Sequence, residues 1–403
     1  MDKKKPEIRF KGFEEEWVTT TLGECFQERV ERSAEGELIS VTINQGVIRA
    51  SDLDRIDNSS DDKSNYKVVE VGDIAYNSMR MWQGACGYSL YKGICSPAYT
   101  VVIPQGNINV VYCFYMFKRN ESLHLFRVNS QGLTSDTWNL KFPAFSQIKY
   151  NIPSVSEQEK IGTLLTTLDK LIAKLEAKLE KLRKLKQALL EKIFINVNEG
   201  GEMPEIRFKG YTDKWQVKEL RDFFVVATER NQAGEYDKYD IYSVSREHGV
   251  INQIEYQGKS FAGASLANYG VVQSGDLVYT KSPLKSQPYG IIKTNEGQAG
   301  IVSALYGVYH PSEYVHSPFT QVYFELDCRL NDYLRPLVNK GAKNTLLISD
   351  GDSLKGKVAF PNKDEQRNIA NLFKGNNLCM RKMELKLTKI RRIKESLLEK
   401  MFV

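Results

Sequence analysis

Residues 152–194, IPSVSEQEKIGTLLTTLDKLIAKLEAKLEKLRKLKQALLEKIF, align without a gap with residues 360–402, FPNKDEQRNIANLFKGNNLCMRKMELKLTKIRRIKESLLEKMF, at an offset of 208. Pro153, Glu157-Gln158, Leu190-Glu191-Lys192 and Phe194 return as Pro361, Glu365-Gln366, Leu398-Glu399-Lys400 and Phe402. In the first copy Leu168, Ile172, Leu175, Leu179, Leu182, Leu189 and Ile193 step by fours, threes and one seven. That is a 3.5-residue seam, which only a coiled-coil partner buries completely. The second copy keeps the lattice with Met380, Met383, Leu387, Ile390, Leu397 and Met401. Two phase-matched seams in one chain are expected to pair with each other, antiparallel, as long helices leaving two related domains. Lys186 and Lys394 occupy the same seam position, where a polar residue fixes register at some cost in stability. Gly375-Asn376-Asn377 stand where the first copy has Thr167-Leu168-Asp169, so a loose or broken stretch is expected there.

The repeat reaches beyond the helices. Pro6-Glu7-Ile8-Arg9-Phe10-Lys11-Gly12 returns as Pro204-Glu205-Ile206-Arg207-Phe208-Lys209-Gly210, followed in turn by Trp17 and Trp215. Ser40-Val41, Asn65-Tyr66 and Gly72-Asp73 return as Ser243-Val244, Asn268-Tyr269 and Gly275-Asp276, with the offset drifting as loops lengthen. One unit of roughly 200 residues is written twice. KVVEVGDIAYNS and GVVQSGDLVYTK each read as two short strands about a Gly-Asp turn. Val110–Arg127 and the region around 328–340 read as amphipathic helices preceding the loops Asn129–Asn139 and Gly341–Asp352. The expected fold is α+β. Its parts are a mixed domain at 1–151, a long helix at 152–196, a linker at 197–203, a second domain at 204–359 and a second long helix at 360–403.

A chain of 403 residues exceeds one ordinary core, and 41% hydrophobic with 26% charged residues describes a soluble globular protein. A net charge of +6 permits nucleic-acid binding without diagnosing it. The longest apolar run, Val110–Phe117, is too short to span a bilayer, and MDKKKPEIRF lacks the apolar stretch of a signal peptide. Cys25, Cys86, Cys95, Cys113, Cys328 and Cys379 are scattered and read as reduced thiols, so the expected compartment is the cytoplasm.

Catalytic machinery is missing from the pattern. There is no phosphate-binding glycine loop, no Cys-x-x-Cys and no His-Glu-x-x-His. His310 and His316 read as ordinary surface histidines, and Asp73 and Asp276 as solvated turn residues. No metal site and no catalytic residue is expected. The suggestive features are loops rich in hydrogen-bonding and basic residues. Asn77, Ser78, Arg80, Trp82 and Gln83 align with Lys281, Ser282, Lys285 and Gln287 of the second half. Ser130, Gln131, Thr134 and Ser135 align with Lys340, Lys343, Asn344 and Thr345. Arg and Gln can read guanine and adenine edges bidentately, whereas Lys and Ser suit phosphates. The framework repeats while these loops differ in chemistry, as expected of two readers with one scaffold and different ligands.

The whole chain resembles the specificity subunit of type I restriction–modification enzymes. The resemblance rests on two variable domains, each ending in a Pro-x-x-x-Glu-Gln segment that opens a long helix, with a Gly-Asp-Ile/Leu turn inside each domain. It implies two target recognition domains, each reading half of a split, adenine-containing site in double-stranded DNA, with the coiled coil as spacer. It also implies assembly with two modification (methyltransferase) subunits and with translocating restriction subunits. Those partners use S-adenosylmethionine, ATP and Mg²⁺; no cofactor belongs to this chain, and no Asn-Pro-Pro-Phe/Tyr methyltransferase motif occurs in it. Two rival readings are a DNA-modifying enzyme with an unrecognised site and a scaffold that spaces two protein-binding modules.

Overall fold

The computed structural model describes residues 4–54, 59–260, 263, 265–283, 286–341 and 346–403. The chain divides into two compact units, Met1–Ala177 with Glu384–Val403, and Lys178–Met383. Each unit therefore takes the start of one long helix and the end of the other. The helices run Val155–Lys192 and Lys363–Lys400, 38 residues each.

In the first unit, two four-stranded sheets carry the fold. One orders Phe26–Glu28, Tyr99–Pro104, Ile74–Asn77 and Cys86–Tyr88, all antiparallel. The other orders Gly46–Arg49, Leu38–Thr42, Gly93–Cys95 and Lys67–Val69, with the middle two strands parallel. A small core of Ile39, Val41, Val47, Val69, Ala75, Cys95 and Val101 draws on both sheets. The larger core lies between the first sheet, the short helices and the long ones. Trp17 meets Tyr112 edge-on at 6.4 Å, and Tyr112 stacks on Phe402 at 5.1 Å. The last aromatic of the second long helix is thus a core residue of the first unit.

The second unit repeats this plan with Phe224–Val226, Tyr306–Pro311, Leu277–Thr280 and Ile291–Thr294 in one sheet. Its other sheet orders Gly249–Asn252, Ile241–Ser245, Gly300–Val302 and Gly270–Val272. Phe194 takes the place of Phe402, packing against Trp215, Phe319 and Phe373.

The helix pairing is antiparallel in each unit. In the first, Asp169 meets Lys394 and Glu176 meets Arg391, so the numbers climb on one helix and fall on the other. In the second, Leu190, Ile193 and Phe194 share a core with Ile369, Ala370 and Phe373. All thirteen predicted seam residues are buried or half-buried, whereas Leu185, Leu378, Leu385 and Ile393 face solvent. Both seam lysines have carboxylate partners. Lys394 reaches Asp169 on the other helix and Lys186 reaches Glu325, each at 2.5 Å.

The Glu-Gln pair now has a physical reason. Glu157 is buried and accepts a two-pronged bond from Arg9, while Glu365 accepts the same from Arg207. Gln158 accepts from the Asn109 amide and donates to the carbonyls of Pro153 and Asn107. Gln366 repeats this with the His316 amide and the carbonyls of Pro361 and Tyr314.

Several expectations need correction. The second helix is unbroken through Gly375-Asn376-Asn377. Glycine costs about 1 kcal/mol in a helix, which burial of Ile369, Ala370 and Phe373 one turn earlier offsets. Val110–Arg127 forms two helices, Val110–Phe117 and Asn120–Val128, because Arg119 takes an extended backbone (φ −72°, ψ 151°) between them. The linker holds a short 3₁₀ turn at Val197–Glu199. Asp73 and Asp276 are buried rather than solvated. Gly72 and Gly275 supply the turn's positive φ, 93° and 90°, and each aspartate accepts the amide three residues back. Arg29 forks onto Asp73, while His310 bridges Asp276 at 2.7 Å and Glu229 at 3.2 Å, so His310 is no idle surface histidine.

Candidate nucleic-acid interface

In the first unit, the strand Ile74–Asn77 ends in a tight loop. Asn77 caps it by accepting the Met79 amide on its side chain, and the Arg80 amide donates to the Asn77 carbonyl. The loop Asn129–Asn139 joins it from the other side. The Leu140 amide donates to the Ser78 carbonyl at 2.8 Å, and Trp82 meets Trp138 edge-on at 5.2 Å. Two segments about 50 residues apart in sequence thus form one surface.

The second unit makes the same junction with other chemistry. Lys281 pairs with Asp350 at 2.8 Å, and the Lys340 ammonium sits 4.9 Å above the Tyr289 ring. An aromatic pair in one unit is replaced by an ion pair and a cation–π contact in the other.

The comparisons with known proteins agree with this geometry. The family described as Type I restriction modification DNA specificity domain matches residues 14–184. The chain is 26% identical over 237 residues to the type I restriction enzyme MjaVIII specificity subunit of Methanocaldococcus jannaschii, covering 52% of this chain and 50% of that one. It is 20% identical over 367 residues to the putative MjaX specificity subunit of the same organism, covering 83% and 78%. The chain spans half the length of the first of these relatives. In fold, it matches the S subunit of a type I restriction–modification system from M. genitalium, with a TM-score of 0.56, 13% identity and 99% of each chain covered. Over these spans the chain is similar to specificity subunits of type I restriction–modification systems.

Within the chain, the side chains singled out in the sequence fall into two groups. One group builds the loops. Ser78 is buried with its hydroxyl 2.8 Å from that of Thr100, and Gln287 is buried with its amide on Asp327 at 2.7 Å. Both side chains are turned inward rather than presented at the surface. Ser130 donates to the Phe126 carbonyl, closing the helix before it, and Asn77 and Lys281 are held as described. The other group is presented. Gln131, Thr134, Ser135, Ser282 and Lys340 are exposed, while Arg80, Trp82 and Gln83 are half-buried. Arg80 makes no ion pair or side-chain hydrogen bond among the described residues. Lys285, Lys343, Asn344 and Thr345 lie outside the described residues.

Sequence reasoning missed Trp138, Leu133 and Lys141. A signal for the first was available. Of the four tryptophans, Trp17 and Trp215 belong to the repeat, and the other two fall one in each loop of the first unit. Exposed Lys141 follows the second loop directly. Among the described residues no group of His, Cys, Asp and Glu could hold a metal ion, and no helix is long and apolar enough to cross a membrane.

Proposed function

We propose that the chain is the non-catalytic, sequence-reading subunit of a type I restriction–modification complex in the cytoplasm. Each unit reads one half of a bipartite, adenine-containing site in duplex DNA through its pair of joined loops. Two modification subunits carrying S-adenosylmethionine supply methyl transfer, and restriction subunits using ATP and Mg²⁺ supply translocation and cleavage. The observation that carries this reading is the repeated loop junction. Two units share one framework but present Arg80, Gln83 and Gln131 in one and Ser282 and Lys340 in the other, as two readers of different half-sites require. An enzyme with a carboxylate-based active site is disfavoured because the buried carboxylates among the described residues, Glu157, Glu365, Asp73 and Asp276, are consumed by structural partners.

The test is to express the chain with its modification subunits and map methylated adenines in the host DNA. A single bipartite motif is expected. Methyl transfer by the isolated chain, or methylation without a motif, would overturn the reading.

A further inference from the structure

Leu133 is the most exposed large hydrophobic residue among the described residues, at 101% of its reference area, against 75% for the next, Val30. Single exposed leucines are ordinary on protein surfaces. What sets this one apart is the backbone that holds it out. Gln131 and Asn139 exchange both main-chain hydrogen bonds, at 3.0 and 2.8 Å. The amide and the hydroxyl of Thr137 both donate to the Thr134 carbonyl at 2.9 Å, and the Thr134 amide donates to the Thr137 hydroxyl at 3.1 Å. Gly132 has φ +141°, and a Cβ there would lie 2.5 Å from the Thr137 carbonyl oxygen, so only glycine fits beside the leucine. The base of the loop is tied to Ser78 and to Trp82. The chain spends a constrained turn on presenting one apolar side chain to solvent.

The surroundings of Leu133 indicate what it meets. Its exposed neighbours Gln131, Thr134, Ser135 and Thr137 are polar, so there is no apolar patch of the size a protein partner needs. The only ionised side chain in the loop, Asp136, is exposed and would be repelled by phosphates. The tip therefore suits a groove floor, where hydroxyls, an amide and a carboxylate meet base edges. Lys141, at the foot of the loop and unpaired among the described residues, suits a flanking phosphate.

We infer that Leu133 is an apolar wedge that enters the base stack of the half-site read by the first unit. The inference rests on the DNA reading proposed above and adds a mechanical role to it. Apolar side chains inserted at a base step unstack it and kink the duplex. A step opened in this way lowers the cost of extruding a nearby base for chemistry by a partner subunit.

The experiment uses the chain assembled with its modification subunits and a duplex carrying the motif mapped by methylation. 2-Aminopurine, whose fluorescence rises on unstacking, replaces each position of the first unit's half-site in turn. The wild type should brighten one step. Leu133→Ala should abolish that rise and weaken binding on the order of tenfold, from the buried methyl and methylene groups lost. Leu133→Met should keep both signals, and neither variant should change the melting temperature, since the Leu133 side chain is fully exposed. A rise that persists in Leu133→Ala would overturn the wedge. Protection of the motif by the wild type with no rise at any step would overturn the wedge while leaving the DNA reading standing. Failure of the wild type to protect the motif would overturn the reading and the wedge together.

Discussion

Arg9 forks onto Glu157, its Nε and Nη2 each 2.8 Å from one carboxylate oxygen. The preceding residue, Ile8, donates its amide to the carbonyl of Lys400 at 2.9 Å. Two adjacent residues thus hold the beginning of one long helix and the end of the other. Arg207 with Glu365, and Ile206 with Lys192 at 3.1 Å, repeat the arrangement in the second unit. The repeated Pro-Glu-Ile-Arg-Phe-Lys-Gly segment is a strap across an antiparallel helix pair.

Removing one partner should therefore be costly. Arg9→Ala leaves the carboxylate of Glu157, only 1% exposed, without its charge partner. Breaking a buried pair in this way costs about 3–5 kcal/mol. The double replacement Arg9→Met with Glu157→Met should recover most of the loss, because two apolar side chains need no partner. Denaturant unfolding followed by tryptophan fluorescence reads both. A loss under about 1 kcal/mol for Arg9→Ala would mean the pair behaves as a surface ion pair.

The helix ends are core elements of the units they enter. Phe402 stacks on Tyr112 and has the Arg119 guanidinium 5.2 Å from its ring centre. Phe402→Ala should destabilise the first unit by about 3–5 kcal/mol. Hydrogen exchange should show the loss in the strands and short helices of residues 17–150, not in 204–359. The reciprocal variant, Phe194→Ala, should reverse that pattern. Equal deprotection of both units by either variant would contradict their separate cores.

The aspartate of the Gly-Asp turn is held by a permanent cation in one unit and by a titratable one in the other. Burial pulls the His310 pKa down, but the hydrogen bond and charge of Asp276, and then of Glu229, outweigh it and leave it above the usual histidine value. Burial pushes Asp276 up as well. A folded state that holds a proton more tightly than the unfolded chain is stabilised at low pH. For His310 that contribution is complete below about pH 6.5 and is lost as pH rises through the folded value. Wild type should therefore lose stability relative to His310→Gln between about pH 6 and about pH 8, the opposite slope from His316, whose pKa burial lowers, being common to both. Arg29 stays charged throughout, so the cation of the first unit's turn does not titrate in this range. Calorimetry across that range, with and without the substitution, decides the matter.

The legible part of the fold was the part written in a period. The seam of Leu168 through Ile193 and its copy carry a 3.5-residue signal that survives substitution of leucine by methionine, so the helices and their partnership could be read directly. Gly375 misled because local propensity says nothing of Phe373, whose burial holds that turn in place. The site was legible only as two loops. Which side chains they present depends on contacts distant in sequence. Ser78 turns inward to Thr100, and Gln287 to Asp327, because a strand and a helix far along the chain offer hydrogen-bond partners. Arg80 is left unpaired because no carboxylate among the described residues forms an ion pair with it. Leu133 gave no periodic signal, since one exposed residue has no pattern.

The loop residues that remain free should divide by what they read. Arg80 is a guanidinium without an ion pair among the described residues, with the donor fork that matches the O6 and N7 of guanine. Lys141, an exposed point charge beyond the second loop, suits a phosphate. Arg80→Ala should cost about 1–3 kcal/mol on the mapped motif and relax discrimination at one base pair of one half-site, leaving the other half-site unchanged. Lys141→Ala should weaken binding to every duplex alike and lower the slope of log affinity against log salt by about 1. Titrating both variants, assembled with their modification subunits, against a set of single-base variants of the motif at several salt concentrations separates the two outcomes. Uniform weakening by Arg80→Ala would reassign it to the phosphate backbone and leave the base contacts of this unit to Gln83, Gln131 and the hydroxyls of the loop.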